Sequence, residues 1–297
     1  MKAKILVLTF LALILLAPGA QAAPEEVKAG TYILNIGKYN IEEGSYFADF
    51  YLWFEWEGQA DPAGFELMNG MVVDKKLMIN ETGYLFYRIR ADMHTSPDLR
   101  DYPRDSQTVS IDIEDGVYTT QELAYVPDTE ASGIAEGLEV LGWDIRSSEV
   151  GVSESRYPNW DETYSRYTHK LVISRPASAI LGIVVPMIFI AITAWLCFFL
   201  PLHKLGEKMA LGGTALLSAV ALHIYITATK PPIGYLTLAD KYAIALYAFL
   251  VAVLISMAIV EKHVGRRDTG KAKRLNGAFT IVSLAVPVLA FLVLIVL

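Results

Sequence analysis

Four long apolar runs after Pro176 constrain this chain more than any other feature: Ala177 to Leu200, Met209 to Thr229, Tyr242 to Val260 and Ala278 to Leu297. Each is close to the roughly 20 residues that a helix needs to cross about 30 Å of hydrocarbon. Because lipid offers a backbone no hydrogen-bond partner, such runs are expected to be helical. The preceding part is of another kind. Between Pro24 and Arg175 there are 28 Asp and Glu against 13 Lys and Arg, a net of −15, whereas the whole chain carries −7. A field of that sign gathers cations and repels anions and nucleic acid, and it also keeps a domain soluble. The expected division is a leader at 1–22, an exported domain at 23–175 and a membrane domain at 176–297.

The leader is read from Lys2 and Lys4, the short apolar core Ile5 to Leu16, Pro18 and the small-residue end Ala20-Gln21-Ala22, the pattern of a signal peptide. Basic residues orient the rest. His203, Lys204 and Lys208 follow the first run, and Lys262, Arg266, Arg267, Lys271, Lys273 and Arg274 follow the third, opposed only by Glu261 and Asp268. By the positive-inside rule both loops face the cytoplasm of a plasma (inner) membrane, with the N-terminal domain and the C-terminus outside. Cys197 is the one cysteine and sits in an apolar run, which excludes a disulfide and a cysteine metal site from the exported domain.

That domain reads as β. Asp49 to Glu57 is dense in aromatics and Thr108 to Asp112 alternates. Tyr84 to Asp92, Gly142 to Ser147 and Thr168 to Ser174 are short β-branched or aromatic runs separated by turn residues. Roughly seven to ten strands in about 150 residues predict an immunoglobulin-like sandwich. A helical turn or two is expected only near Thr129 to Gly137. An enzyme is not expected. The exported part has no metal-ligand cluster, no suggestive acid–base pair, only His94 and His169 as histidines, and no glycine loop for a nucleotide.

Within the second apolar run, Ala210, Thr214, Leu217, Ala221 and Ile224 recur down one side, above the charged collar Gly206-Glu207-Lys208. A helix surrounded by lipid has no use for such a stripe, and around a shared axis it would line a pore. In that case Thr214 offers a hydroxyl to ions and Leu217 forms a hydrophobic constriction that closes by expelling water. A competing account makes Ala210, Gly212, Gly213 and Thr214 a small-residue face for helix packing. His223 is placed off the stripe, against neighbouring helices, with proton sensing as a lesser alternative.

Gly206-Glu207-Lys208 leading into Leu216-Leu217-Ser218, with Pro231 after the helix and Asp240-Lys241-Tyr242 opening the next, resembles the pore region of pentameric ligand-gated ion channels, the Cys-loop receptor superfamily. Tyr102-Pro103-Arg104-Asp105-Ser106-Gln107-Thr108 is similar to the family's signature loop at the membrane. Gly142-Trp143-Asp144-Ile145, Ile173-Ser174-Arg175, Pro186 and Trp195 follow the family's order across nearly the whole mature chain. The loop cysteines are absent, as in the prokaryotic branch.

The resemblance implies an extracellular all-β sandwich, a four-helix transmembrane bundle and a homopentamer around a central pore, with no cofactor. It also implies roles. Five copies of Glu207 make a carboxylate ring that selects monovalent cations, where anion-conducting relatives have Pro-Ala-Arg in place of Leu-Gly-Glu; the alternative is a Glu207 paired with Lys208 or Lys204. Ala210 and Thr214 continue the filter, and Leu217, Ala221 and Ile224 form the gate. Glu42 or Glu43, Asp105, Arg175 and Pro231 meet at the domain boundary and couple it to the pore, or form a static salt bridge. A small-molecule or ionic agonist (an amine, a proton or a divalent cation) binds between subunits. Tyr157, Trp160, Tyr164 and Tyr167 of loop C, at Arg156 to Thr168, cage it together with Tyr51 and Trp53 of the neighbour, with Glu114 or Asp115 as counter-charge. At single positions these aromatics read equally well as sandwich core. The chain departs from the family between Trp56 and Tyr102, where it is shorter and lacks the Trp-x-Pro wall of the agonist pocket. The alternative function is a membrane-anchored pentameric sensor of a ligand or protein that does not conduct.

Overall fold

A computed structural model describes residues 23–296; the expected leader lies outside the described residues. Ten strands form two sheets among them. They are β1 Glu25–Ile36, β2 Ser45–Trp56, β3 Phe65–Leu67, β4 Gly70–Glu81, β5 Tyr84–His94, β6 Ser106–Asp115, β7 Leu123–Pro127, β8 Gly133–Ile134, β9 Asp144–Tyr157 and β10 Glu162–Ser174. One sheet has the order β4-β5-β2-β1-β7 with β8 on β1, and the other β3-β6-β10-β9. Most pairings are antiparallel, but β7 and β8 run parallel to β1. Thr129 to Gly137, expected to hold a helical turn, is turn plus β8. Pairing of Gly133 and Ile134 with Tyr32 and Ile33 satisfies the backbone there.

The aromatic run of β2 divides by parity, as a strand between a core and an outer face must. Tyr46, Ala48, Phe50, Leu52 and Phe54 are buried and face Ile111, Ile113, Leu171 and Ile173 of the second sheet within one cluster. Tyr51 and Trp53 turn to the other face. A polar chain also crosses between the sheets: Thr31 Oγ1 of β1 is 2.8 Å from Tyr167 Oη and 2.6 Å from His169 Nδ1 of β10. Ser148 Oγ of β9 lies 2.8 Å from His169 Nε2. Burial without a carboxylate partner pushes the His169 imidazole down to about 4, so the neutral ring is the form that fits.

Four helices follow: α1 Ala177–Leu196, α2 Leu205–Ala228, α3 Leu238–Gly265 and α4 Thr269–Val296. Ala177–Phe199, Leu205–Ala228 and Leu238–Gly265 are long and apolar enough to cross a membrane. The remaining expected span, Ala278 to Leu297, runs along α4; its last residue and many of its side chains lie outside the described residues. The helices outrun the apolar stretches. α2 begins four residues before Met209, and most of the basic segment expected as a loop after Val260 is helical, with a break only around Arg266 to Asp268. Hydropathy marks the slab a helix crosses, whereas caps and charged ends mark where it stops. Thr237 and Asp240 form a reciprocal capping box that starts α3.

Candidate functional site

α2 has two faces. Lys208, Gly212, Ala215, Ala219 and Ile226 are buried in the helix bundle. A Cβ on Gly212 would come 2.7 Å from Leu254 Cδ2, so glycine lets α3 approach. Glu207, Ala210, Thr214, Leu217, Ala221 and Ile224 are all exposed on the chain, Leu217 by 72% and Ile224 by 65%. The competing small-residue account is thereby split, since Gly212 packs while Ala210 and Thr214 stand open. Thr214 Oγ1 donates to Ala210 O at 2.8 Å, which leaves the oxygen free to accept. Lys204 Nζ lies 2.7 and 3.0 Å from the two Glu207 oxygens. His223 stands off the stripe as expected. Its Nδ1 is 3.1 Å from Tyr247 Oη and its Nε2 3.4 Å from Asp240 Oδ1, both on α3.

At the other end of α2 the β domain docks onto the helices. Leu99 and Tyr102 pack with Ile183, Ile226 and Ala239 in one buried cluster. The Tyr102–Pro103 peptide is cis. Backbone joins backbone, with Leu238 N donating to Arg100 O at 2.8 Å and Ala239 N to Tyr102 O at 2.9 Å. Leu99 N donates to Tyr235 Oη at 2.9 Å, and Tyr102 Oη and Thr229 Oγ1 share a bond of 3.0 Å. Behind this seam Arg175 Nε donates to Asp105 Oδ1 at 2.6 Å. The guanidinium lies 4.8 Å from the Tyr102 ring centre and 4.6 Å from that of Trp143. Gln107 Nε2 holds the other Asp105 oxygen at 2.7 Å.

The structure thus brings Asp105 and Arg175 together. Glu42 and Glu43 are held locally instead: Glu42 N donates to Asn40 Oδ1 at 3.0 Å, and Glu43 accepts from the Ser45 hydroxyl at 3.1 Å. Pro231 precedes Tyr235 in the same loop. Next to it Lys230 Nζ pairs with Asp240 and donates to Thr237 Oγ1 at 3.1 Å. The sequence reading did not single out Tyr235, Thr229 or Lys230. The partners of Tyr235 and Thr229 lie 136 and 127 residues away, and the local signal for all three is only their place between two apolar runs.

The loop C aromatics separate. Tyr157, Trp160 and Tyr164 cluster at the β9–β10 hairpin, with ring centres 5.9 and 5.7 Å from Tyr157, while Tyr167 is core. Glu114 accepts from Arg166 Nε at 2.6 Å and from Tyr157 Oη at 2.8 Å, so its charge is already matched within the chain. Burial, with Asp61 and Glu66 nearby, raises the Asp115 carboxyl above the usual range. Tyr51 and Trp53 belong to the other sheet. Trp53 lies over Gly30, where a Cβ would come 2.3 Å from the indole, and its Nε1 donates to Asp128 at 3.2 Å. Tyr51 packs on Phe86 at 5.1 Å.

Residues 183–294 match the family described as the neurotransmitter-gated ion-channel transmembrane region. The chain is similar to a proton-gated ion channel of Gloeobacter violaceus, 26% identical over 189 residues that make up 63% of this chain and 52% of that one. It is also similar to a gamma-aminobutyric acid receptor subunit beta of Caenorhabditis elegans, 24% identical over 67% of this chain and 36% of that one. A neuronal acetylcholine receptor subunit alpha-9 of Gallus gallus is 26% identical over 56% of this chain and 34% of that one. The aligned segments span about half or less of the length of these curated relatives.

Proposed function

The chain belongs to the superfamily of pentameric ligand-gated ion channels, and on that premise we propose that it is the subunit of a cation-conducting homopentamer opened by a ligand outside the membrane. It is a channel subunit, not an enzyme. The reading is carried by the two faces of α2. One side packs on α3, and the other leaves Glu207, Ala210, Thr214, Leu217, Ala221 and Ile224 uncovered in a line. About 24 residues at 1.5 Å each give a rod of roughly 36 Å, long enough to line a passage through about 30 Å of hydrocarbon.

In the proposed assembly each residue type has a physical task. Glu207 sits in the first turn, where the helix dipole already favours a negative group. Five such carboxylates in a narrow throat favour cations over anions. Thr214 offers a hydroxyl oxygen to a partly dehydrated ion, and Leu217 is the dewetting gate. The contacts among Arg175, Asp105, Tyr102 and the 230–240 loop give the β domain a grip on the end of α2. The agonist is an amine, a proton or a divalent cation, and the cluster of Tyr157, Trp160 and Tyr164 with the matched Arg166–Glu114 pair is where we place an amine.

Recordings from purified protein in planar bilayers, screened against amines, pH and calcium, test the reading. Reversal potentials under a KCl gradient should follow potassium, and Leu217→Ser should lower the opening threshold. Currents that follow chloride would refute cation selectivity. An unchanged threshold in Leu217→Ser would remove the gate from that position, and charge reversal at Arg175 with an unaltered activation curve would remove the coupling role.

A further inference from the structure

The carboxylate at the start of α2 is not alone. Lys204 stands immediately before the helix and reaches both Glu207 oxygens, at 2.7 and 3.0 Å. Lys208, adjacent to Glu207 in sequence, is buried at 3% exposure, where Cys197 Sγ donates to its carbonyl. The ammonium beside Glu207 is therefore that of Lys204, and both members of the pair are open to solvent, 42% and 56% exposed.

We infer that Lys204 sets the selectivity and conductance of the pore, as a tethered counter-ion that competes with permeant cations for Glu207. The inference rests on the reading of α2 as the pore-lining helix. Pairs this exposed are weak and are closed only about 1.4 to 5 times as often as they are open. A ring of five closed pairs is nearly neutral, and each pair that opens restores one full carboxylate to the passage. A buried pair would hold shut, and a carboxylate without the lysine would always present its charge. An exposed pair lies between these limits, so the effective charge of the mouth depends on the ions that pass it and on salt.

Single-channel recordings of the full-length protein separate the terms. Lys204→Gln frees every Glu207, so potassium conductance should rise about two- to sixfold in about 0.01 M KCl, the inverse of the open fraction of the pair. In about 1 M KCl, where charge acts over only about 3 Å, the rise should nearly vanish. Lys204→Arg keeps the charge and should leave conductance near that of the wild type. Glu207→Gln exposes a ring of unmatched ammonium groups and should lose cation selectivity. Glu207→Gln combined with Lys204→Gln should fall between Glu207→Gln and the wild type. Equal conductance of Lys204→Gln and wild type in dilute salt overturns the inference, and so does a rise that persists undiminished in 1 M KCl. If Glu207→Gln shifts selectivity while Lys204→Gln does not, this inference alone falls. If neither variant changes any current, or no current is seen, the pore-lining role of α2 falls with it.

Discussion

Replacing Arg175 with glutamine removes a cation that is held from three sides. Its Nε is 2.6 Å from Asp105 Oδ1, with side-chain exposures of 17% and 1% for the two residues. The Tyr102 and Trp143 rings flank the guanidinium at 4.8 and 4.6 Å. Taking one partner from a buried pair costs about 3–5 kcal/mol, because the remaining charge is stranded. Each ring contact adds about 0.5–1 kcal/mol. Against this, the Gln107 amide at 2.7 Å still holds Asp105 and keeps about 1 kcal/mol. The expected loss for Arg175→Gln is about 3–6 kcal/mol. Asp105→Asn in the same background discharges the stranded group, so the double variant should recover about 2 kcal/mol relative to the sum of the single losses. Equilibrium unfolding of the detergent-solubilised protein, followed by tryptophan emission, measures all four corners of the cycle. Costs that add to within about 0.5 kcal/mol would refute the pairing as the energetic centre of the junction.

Acid should weaken the β domain through His169. Its folded value of about 4 lies below the 6.5 of an exposed imidazole, so the unfolded chain binds the proton more readily. Stability is full above pH 6.5 and falls by about 1.4 kcal/mol per pH unit down to pH 4, about 3 kcal/mol in all. Melting curves of wild type and His169→Gln between pH 7 and 4 should converge on acidification, and parallel curves would exclude His169 as the source. Tyr235→Phe strips the acceptor from the buried Leu99 N–H and should cost about 1–3 kcal/mol at the seam. Faster hydrogen exchange at the Leu99 amide should report it, and an unchanged rate would show that water replaces the hydroxyl.

Much of the architecture was legible because it is periodic or long. The aromatics of Asp49 to Glu57 marked β2, the alternation of Thr108 to Asp112 marked β6, and apolar runs of membrane length marked α1 to α3. β4 was missed for the same reason: Gly70–Glu81 is exposed along nearly its whole length and shows no alternation between an inner and an outer face. The stripe from Ala210 to Ile224 could be read at helical spacing, and it is uncovered on the folded chain. Glu207 needed the structure. Lys204 and Lys208 are three positions before it and one after it, and only the helix direction and the packing of α3 decide which ammonium stays beside the carboxylate.

Local order along the chain therefore determined the strand-rich first part, the apolar helices and the lined-up residues of α2, since each depends on spacing of two, three or four positions. The tertiary structure decided what lies between distant segments. It placed Tyr235 against Leu99, Arg175 between Asp105 and two aromatic rings, and Arg166 on Glu114, where an uncommitted carboxylate had been expected. Such partners lie from 32 to 136 residues apart. No local pattern encodes them, because a hydrogen bond or ion pair depends on where two surfaces meet after folding.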